Sequence, residues 1–225
     1  ASNTDGSITT NVRANASAGF SICTYTSPDS SSNQSFGHGL NAKPDFVIVK
    51  NRDSPYNWDI YHSSLGYNSS LTFTTDDTRS GAFSAEPTST VVNTKHDYTH
   101  VDTDDYIAYC WTAVEGYSAF GSFISNNSSD GPFIHLGFRP KLIGWKNADA
   151  SHGWYFYDGE REPVNPHNDY LQLDSNIAEG NNGGTMDFLS NGFKVRNTGA
   201  DMNANSHQIV YFAWAEHPFK TARAR

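Results

Sequence analysis

Two stretches decide how this chain is read: Lys43-Pro44-Asp45-Phe46-Val47-Ile48-Val49-Lys50-Asn51 and Arg139-Pro140-Lys141-Leu142-Ile143-Gly144-Trp145-Lys146-Asn147. Pro44 to Pro140, Lys50 to Lys146 and Asn51 to Asn147 each step by 96 positions. The segment that follows keeps the step, since Trp58-Asp59-Ile60-Tyr61 matches Trp154-Tyr155-Phe156-Tyr157. Near the end of each copy Ile107-Ala108-Tyr109 matches Ile209-Val210-Tyr211, now 102 apart, so the added residues belong to an intervening loop. The copies also open alike, with Gly19-Phe20-Ser21 and Gly116-Tyr117-Ser118. A constant step across separate blocks is the signature of internal duplication. It divides the chain into a first unit from 19 to 115 and a second from 116 to 225 that ends in a short basic tail, with 1–18 as a polar linker.

Within each copy the pattern is that of strands. Phe46-Val47-Ile48-Val49 is a continuous, largely β-branched run, as in a strand buried on both faces. Trp58 to His62 and Leu71 to Thr74 come closer to alternation, as in strands with one wet face. Tyr106 to Trp111 reads as a last core strand, and polar turns such as Ser27-Pro28-Asp29 and Asn126 to Gly131 lie between. Phe46, Ile48, Leu142, Ile107, Tyr109 and Tyr211 are the expected core residues. Short strands without a long helical period indicate an all-β chain, a β-sandwich built from two similar units. Glu115-Gly116-Tyr117 runs directly from one unit to the next, so two small sandwiches and two halves of one sandwich both fit.

Composition agrees. The 225 residues include 5 Trp, 12 Tyr and 14 Phe, too many aromatics for a disordered chain, while charged residues make up only 17%. Nothing approaches the roughly 20 apolar residues of a membrane-spanning helix, so no membrane insertion is expected. The net charge of −9 repels phosphate backbones, which disfavours nucleic acid as a partner, and Lys220, Arg223 and Arg225 are too few to reverse it. Cys23 and Cys110 both sit in apolar strand segments and read as buried thiols; one disulfide between them is the alternative.

Catalytic patterns fail in turn. Gly37-His38-Gly39 lacks the third glycine of a dinucleotide fold, and Gly116-Tyr117-Ser118-Ala119-Phe120 lacks the second glycine of a nucleophile elbow. His96 and His100 lie four apart in a segment that is not helical, and along a strand that is about 13 Å, too far to share a zinc. Val101-Asp102-Thr103-Asp104-Asp105 begins like a calcium loop but lacks its glycine and terminal glutamate, leaving room for a weak, irregular Ca²⁺ site and no other cofactor or metal. Asp158, Glu160 and Glu162 cluster beside Trp154 and Tyr155, and Glu115 and Glu216 end corresponding strands; such carboxylates would be needed in pairs to cleave a glycan. The turn Asp158-Gly159-Glu160-Arg161-Glu162-Pro163 supplies its own arginine, which favours a structural role.

What remains is a surface of hydroxyls, amides and aromatics. Asn, Asp and Ser side chains pair with sugar hydroxyls, and Trp and Tyr rings cover sugar faces. The candidate ligand-binding residues are Trp58, Asp59, Tyr61, Trp145, His152, Trp154, Tyr155 and Asp158. They lie in or beside the loops Asn51–Asn57 and Asn147–His152, which join the central strand of each copy to the aromatic one and differ between copies. A sandwich core also consumes aromatics, and the equivalence of Trp58 with Trp154 suits a core role for both.

The blocks Gly19 to Thr26, Tyr109 to Ser118, Asp130-Gly131-Pro132-Phe133, Asp187 to Lys194 and Ala215 to Lys220 resemble a repeat module of tail fibre proteins of tailed bacteriophages. The resemblance runs from about 19 to 219, with Cys110 to Ser118 its most specific element, and Leu65 to Val101 departs most from it. It implies a jelly-roll or concanavalin-like sandwich at the tip of a virion fibre. It implies, too, a receptor-binding adhesin that attaches the particle to a bacterial cell-surface glycan or other host receptor, without being an enzyme. A homo-oligomer follows by analogy, a trimer as in other phage fibres. The alternatives are a polysaccharide-degrading domain of the same kind of particle and a structural spacer module. No binding residue is carried over from the resemblance.

Overall fold

A computed structural model describes residues 1–74, 76, 78–101 and 103–217. The basic tail and Asp102 of the acidic turn lie outside them. The chain forms two compact units, Ala1–Phe73 with Thr78–Ala113, and a second built from Val114 onward.

In the first unit the strands are β1 (Ser2–Asn3), β2 (Thr10–Asn15), β3 (Phe20–Thr26), β4 (Ser35–Gly37), β5 (Phe46–Asn51), β6 (Asp59–His62), β7 (Ser69–Thr72), β8 (Arg79–Ser80), β9 (Val91–Asn93) and β10 (Asp105–Trp111). Eight form an antiparallel sheet in the order β1-β2-β3-β10-β5-β6-β7-β8, and β4 pairs with β9 in a small second sheet. Alternation in β3 and β10 turns Cys23, Tyr25, Tyr106, Ala108 and Cys110 inward. They meet Val47, Val49 and Tyr61 from the large sheet and Phe36 and Val92 from the small one. This is a two-layer sandwich.

The second unit contains β11 (Ser118–Ile124), β12 (Phe133–His135), β13 (Pro140–Asn147), β14 (Tyr155–Asp158), β15 (His167–Gln172), β16 (Gly180–Leu189), β17 (Gly192–Val195), a one-turn helix α1 (Ala200–Asn203) and β18 (Gln208–Ala215). The strands run β11-β18-β13-β14-β15-β16-β17-β12. Ile143, Trp145, Tyr157, Ile209 and Tyr211 from the first half share a core with Met186, Phe188, Phe193, Val195 and Ile134 from the second. The curled sheet thus buries one face on itself.

The ladder registers follow the step seen in the sequence. β5 pairs with β6 as Phe46↔His62 through Val49↔Asp59, and β13 pairs with β14 as Leu142↔Asp158 through Trp145↔Tyr155. Every partner is displaced by 96. The last strand is displaced differently. Phe46 faces Trp111 and Leu142 faces Trp214, so β10 corresponds to β18 at a step of 103 rather than 102. Short apolar strands look similar when slid by one residue, yet a one-residue slip exchanges the two faces.

Other expectations are corrected. Residues 1–18 are no linker: β2 pairs with β3 (Val12↔Cys23), Ile8 is buried and bridges to Phe36, and Asn15 caps a short 3₁₀ turn at Ala16–Ala18. The segment looked like a tether because a near-edge strand with one wet face needs few apolar residues. Phe46, Ile48 and Tyr211 are buried, whereas Ile107, Tyr109 and Leu142 are half-buried. In β10 the inward positions are the even-numbered ones. β6, expected to have one wet face, is buried at all four residues. Cys23 and Cys110 are fully buried thiols. Cys23 faces Ala108 and Cys110 faces Ser21, so the two are diagonal neighbours. Diagonal Cα atoms stand roughly 7–8 Å apart, too far for a disulfide without backbone movement. Burial pushes the Cys110 thiol well above its ordinary range.

A candidate site on the loops of the second unit

The loop after β13 is shaped by buried polar groups. Asn147 is fully buried; its Nδ2 donates to the Ala200 carbonyl (2.9 Å) and its Oδ1 accepts from the Asp149 amide (3.0 Å). Asp149 Oδ2 accepts from the Gln208 amide at 2.7 Å. The buried Lys146 ammonium donates to the His152 carbonyl. The first unit repeats the device: Asn51 Oδ1 accepts from the Asp53 and Ser54 amides (2.9 and 2.8 Å), Asp53 Oδ2 accepts from the Asp105 amide (2.6 Å), and Lys50 donates to Asn51 and Ser54 carbonyls. The recurring Lys-Asn-x-Asp is therefore a loop scaffold. In the second unit Asn203, also fully buried, donates to the Asn197 and Ser128 carbonyls (2.7 and 2.8 Å), which ties down the segment around α1.

Between these braced loops lies a pocket of about 480 Å³ lined by His152, Tyr155 and residues 197–201. Tyr155 stands at the first position of β14 with its ring stacked on Trp145 (5.7 Å between centroids) and edge-on to Tyr170 (5.1 Å). Burial, then the nearby Asp201 carboxylate, pushes its phenol up to about 12, so it stays protonated at neutral pH. Asp201 is held above the usual carboxylate range by burial, against hydrogen bonds from backbone amides and the charge of His152. Gly199 belongs here for steric reasons, since a Cβ would stand 2.5 Å from Asp201 Oδ1. The pocket offers a phenol, an imidazole, a desolvated carboxyl, an amide and a hydroxyl around a half-exposed ring.

Of the eight residues expected to bind, this pocket brings together His152 and Tyr155. Trp145 supports Tyr155 from the core and is fully buried. Trp154 is fully buried too and stacks on Phe212 at 6.2 Å, and Asp59 and Tyr61 are buried in β6; none of the four can meet a ligand at the surface. The Tyr61 hydroxyl donates to Glu86 (2.6 Å), which also pairs with Lys43 (2.7 Å). Trp58, in the first unit, is 37% exposed and packs on Tyr109 and Phe73; it is not part of the pocket lining. Asp158 is occupied: it accepts from the Glu160 and Arg161 amides and pairs with Arg161 Nε at 2.6 Å. Burial opposes its charge, but those bonds win and hold it below its ordinary range. Glu162 is likewise lowered, by the Asn168 and Asp169 amides, and Glu160 pairs with Lys141 at 2.6 Å.

His96 and His100 were placed too far apart by the strand assumption. Amides of residues 98–100 all donate to the Lys95 carbonyl, the chain turns, and the two rings come within 5.3 Å. Among the described residues no three His, Cys, Asp or Glu side chains gather as a metal site would require.

Sequence reasoning missed residues 197–201. A signal existed: the step between copies grows from 96 at β14 to 103 at β18, so the span between these strands, which contains 197–201, carries added chain.

Fold and site together define an all-β chain of two antiparallel units, the second bearing a polar, loop-built pocket with an aromatic wall. The chain belongs to the family described as a domain of unknown function (DUF7483), whose model matches residues 1–218. No curated protein and no solved structure matches it.

Proposed function

We propose that this chain is a non-enzymatic receptor-binding module of a bacteriophage tail fibre, which attaches the particle to a glycan on the bacterial surface through the pocket around Tyr155. The observation that carries the reading is that pocket, with a half-exposed ring on a rigid aromatic base and hydrogen-bonding groups on separate loops around it. Rings of this kind cover the C–H face of a sugar while polar neighbours pair with its hydroxyls. The fibre setting rests on the resemblance of the blocks quoted above. Binding is favoured over cleavage because glycoside hydrolysis uses two carboxyl groups. Asp201 is the one acid in the lining, and the Asp158 group is held by structural hydrogen bonds. Display of several copies, a trimer by analogy, would raise weak contacts by avidity.

The test is a glycan array probed with the chain and with His152→Ala and Asp201→Asn, both of which keep the loop scaffold. Binding to bacterial surface glycans that falls about tenfold in either variant supports the reading. Equal binding by all three proteins, or release of new reducing ends from a bound glycan, overturns it.

A further inference from the structure

The first unit contains a second cavity, also about 480 Å³, lined by none of the eight residues expected to bind a ligand. One wall is the amino-terminal segment that looked like a tether. Ser7 holds it in place, accepting from the Ser35 amide (2.9 Å) and donating to Gln34 (2.7 Å). Asn11 of β2 and Thr24 of β3 are direct cross-strand partners, and both line the cavity. Thr26 and Asp105 are the next such pair, on β3 and β10, with the Thr26 hydroxyl donating to Asp105 Oδ1 at 2.6 Å. Arg52 closes the rim; its amide donates to the Asp105 carbonyl and its guanidinium stands 3.9 Å from Asp105 Oδ2.

Most of this hydrogen-bonding capacity is unspent. The Asn11 amide, the Thr24 hydroxyl and the Arg52 guanidinium make no hydrogen bond among the described residues, and Asp105 Oδ2 has only the long contact to Arg52. Donors and acceptors thus alternate around the cavity: a guanidinium, a carboxylate, an amide that does both, and a hydroxyl. That array suits vicinal hydroxyls, each of which donates once and accepts twice. The charge balance selects further. Asp53 Oδ2 accepts from the Asp105 amide (2.6 Å), which brings a second carboxylate to the rim, and Asp104 precedes Asp105 in the chain. Three carboxylates against Arg52 and Lys50 leave a local excess of negative charge that opposes an anion.

We propose that this cavity is a second saccharide subsite, specific for a neutral sugar residue, in which Arg52 and Asn11 donate to ring hydroxyls and Asp105 accepts from them. The choice of sugar as ligand rests on the glycan reading above, but the site, its residues and its unit are different.

Amide chemical-shift mapping on the isotope-labelled full chain separates the two. The probes are neutral oligosaccharides (maltohexaose, mannohexaose and a galactan hexamer) and an oligomer of galacturonate. Shifts at Ser7, Thr24 and Thr26 with a neutral probe, weakened about tenfold by Arg52→Ala or Asn11→Ala, are the expected result. Both side chains are exposed, so an unchanged melting temperature confirms that these variants stay folded. Shifts confined to Tyr155 and Ala200 would overturn this inference and leave the glycan reading standing. Tighter binding of galacturonate than of the neutral probes at this cavity, read at Ser7, Thr24 and Thr26, would overturn its neutral specificity. Shifts at neither pocket would overturn both.

Discussion

Replacing Asn147 by Ala tests whether the repeated Lys-Asn-x-Asp is a scaffold or a contact. Asn147 is fully buried and its side chain bonds to three partners, the Ala200 carbonyl, the Asp149 amide and the His207 ring nitrogen Nδ1 (3.1 Å). Each neutral hydrogen bond contributes about 1 kcal/mol net, and a buried partner left unsatisfied costs about 1–3 kcal/mol. The Ala200 carbonyl sits at the pocket and can be rehydrated, so the full penalty falls mainly on the Asp149 side. The sum is a loss of about 2–4 kcal/mol. For a unit of this size about 4 °C accompanies each kcal/mol, so the melting transition should fall by roughly 10 °C. Urea denaturation followed by near-ultraviolet circular dichroism reads the change, because Trp145 and Tyr155 lie beside the altered loop. Asn51→Ala should destabilise the first unit at least as much, since Asn51 also donates to Asp104 (2.8 Å) and the Tyr106 hydroxyl (3.0 Å). A loss below about 0.5 kcal/mol in both variants would refute the scaffold argument, because no buried hydrogen-bonded amide should be that cheap to delete.

Gly144→Ala should destabilise by about 1–3 kcal/mol, because a Cβ there would stand 2.0 Å from the ring of Phe212, itself packed by Trp154 and Trp214; thermal melting checks it. Trp154→Ala should cost about 3–5 kcal/mol as a cavity in the packed face, and a variant as stable as the parent would return Trp154 to the surface. His167 is buried against Phe188 with no hydrogen-bond partner at either ring nitrogen, and burial lowers its pKa from 6.5. The unfolded chain therefore takes up the proton first: His167 leaves stability intact above about pH 6.5 and erodes it as pH falls below. His167→Leu should gain on the parent between pH 7.5 and 5.5 in paired melting curves, and a constant difference would count against a neutral buried imidazole. Lowered carboxylates such as Glu86 titrate in both proteins and cancel in the comparison.

The strands around Phe46 and Leu142 were legible because both faces are buried and the apolar run is unbroken. The constant step then aligned β6 with β14 without any knowledge of side-chain direction. Legibility failed where burial is one-sided or polar. β2 spends few apolar residues, so Thr10 to Asn15 passed for a tether. β10 and β18 carry aromatics on both faces, so an apolar segment alone did not show that Ile107 and Tyr109 point away from the core. Half of the site was within reach, since the scaffold loop announced His152 and Tyr155 through the repeat. The other half, 197–201, is brought in by Asn147 and Asn203 bonding to backbone carbonyls, and a carbonyl carries no sequence signal. Trp145 and Trp154 illustrate the remaining limit. A Trp that differs between copies and one that is kept are both buried here, so neither difference nor repetition separated contact from core.

The central claim is that the pocket at Tyr155 holds the receptor, and attachment to intact bacteria tests it most directly. Tyr155→Ala is unsuited, because that ring packs on Trp145 and Tyr170 and its loss would disturb the fold. The better measurement is sedimentation of the fluorescently labelled chain with a panel of bacterial strains, comparing the parent with the folded double variant His152→Ala, Asp201→Asn. The account predicts that a strain binding the parent binds the double variant at least about tenfold more weakly, at unchanged melting temperature. Equal sedimentation of the two proteins with that strain would contradict it.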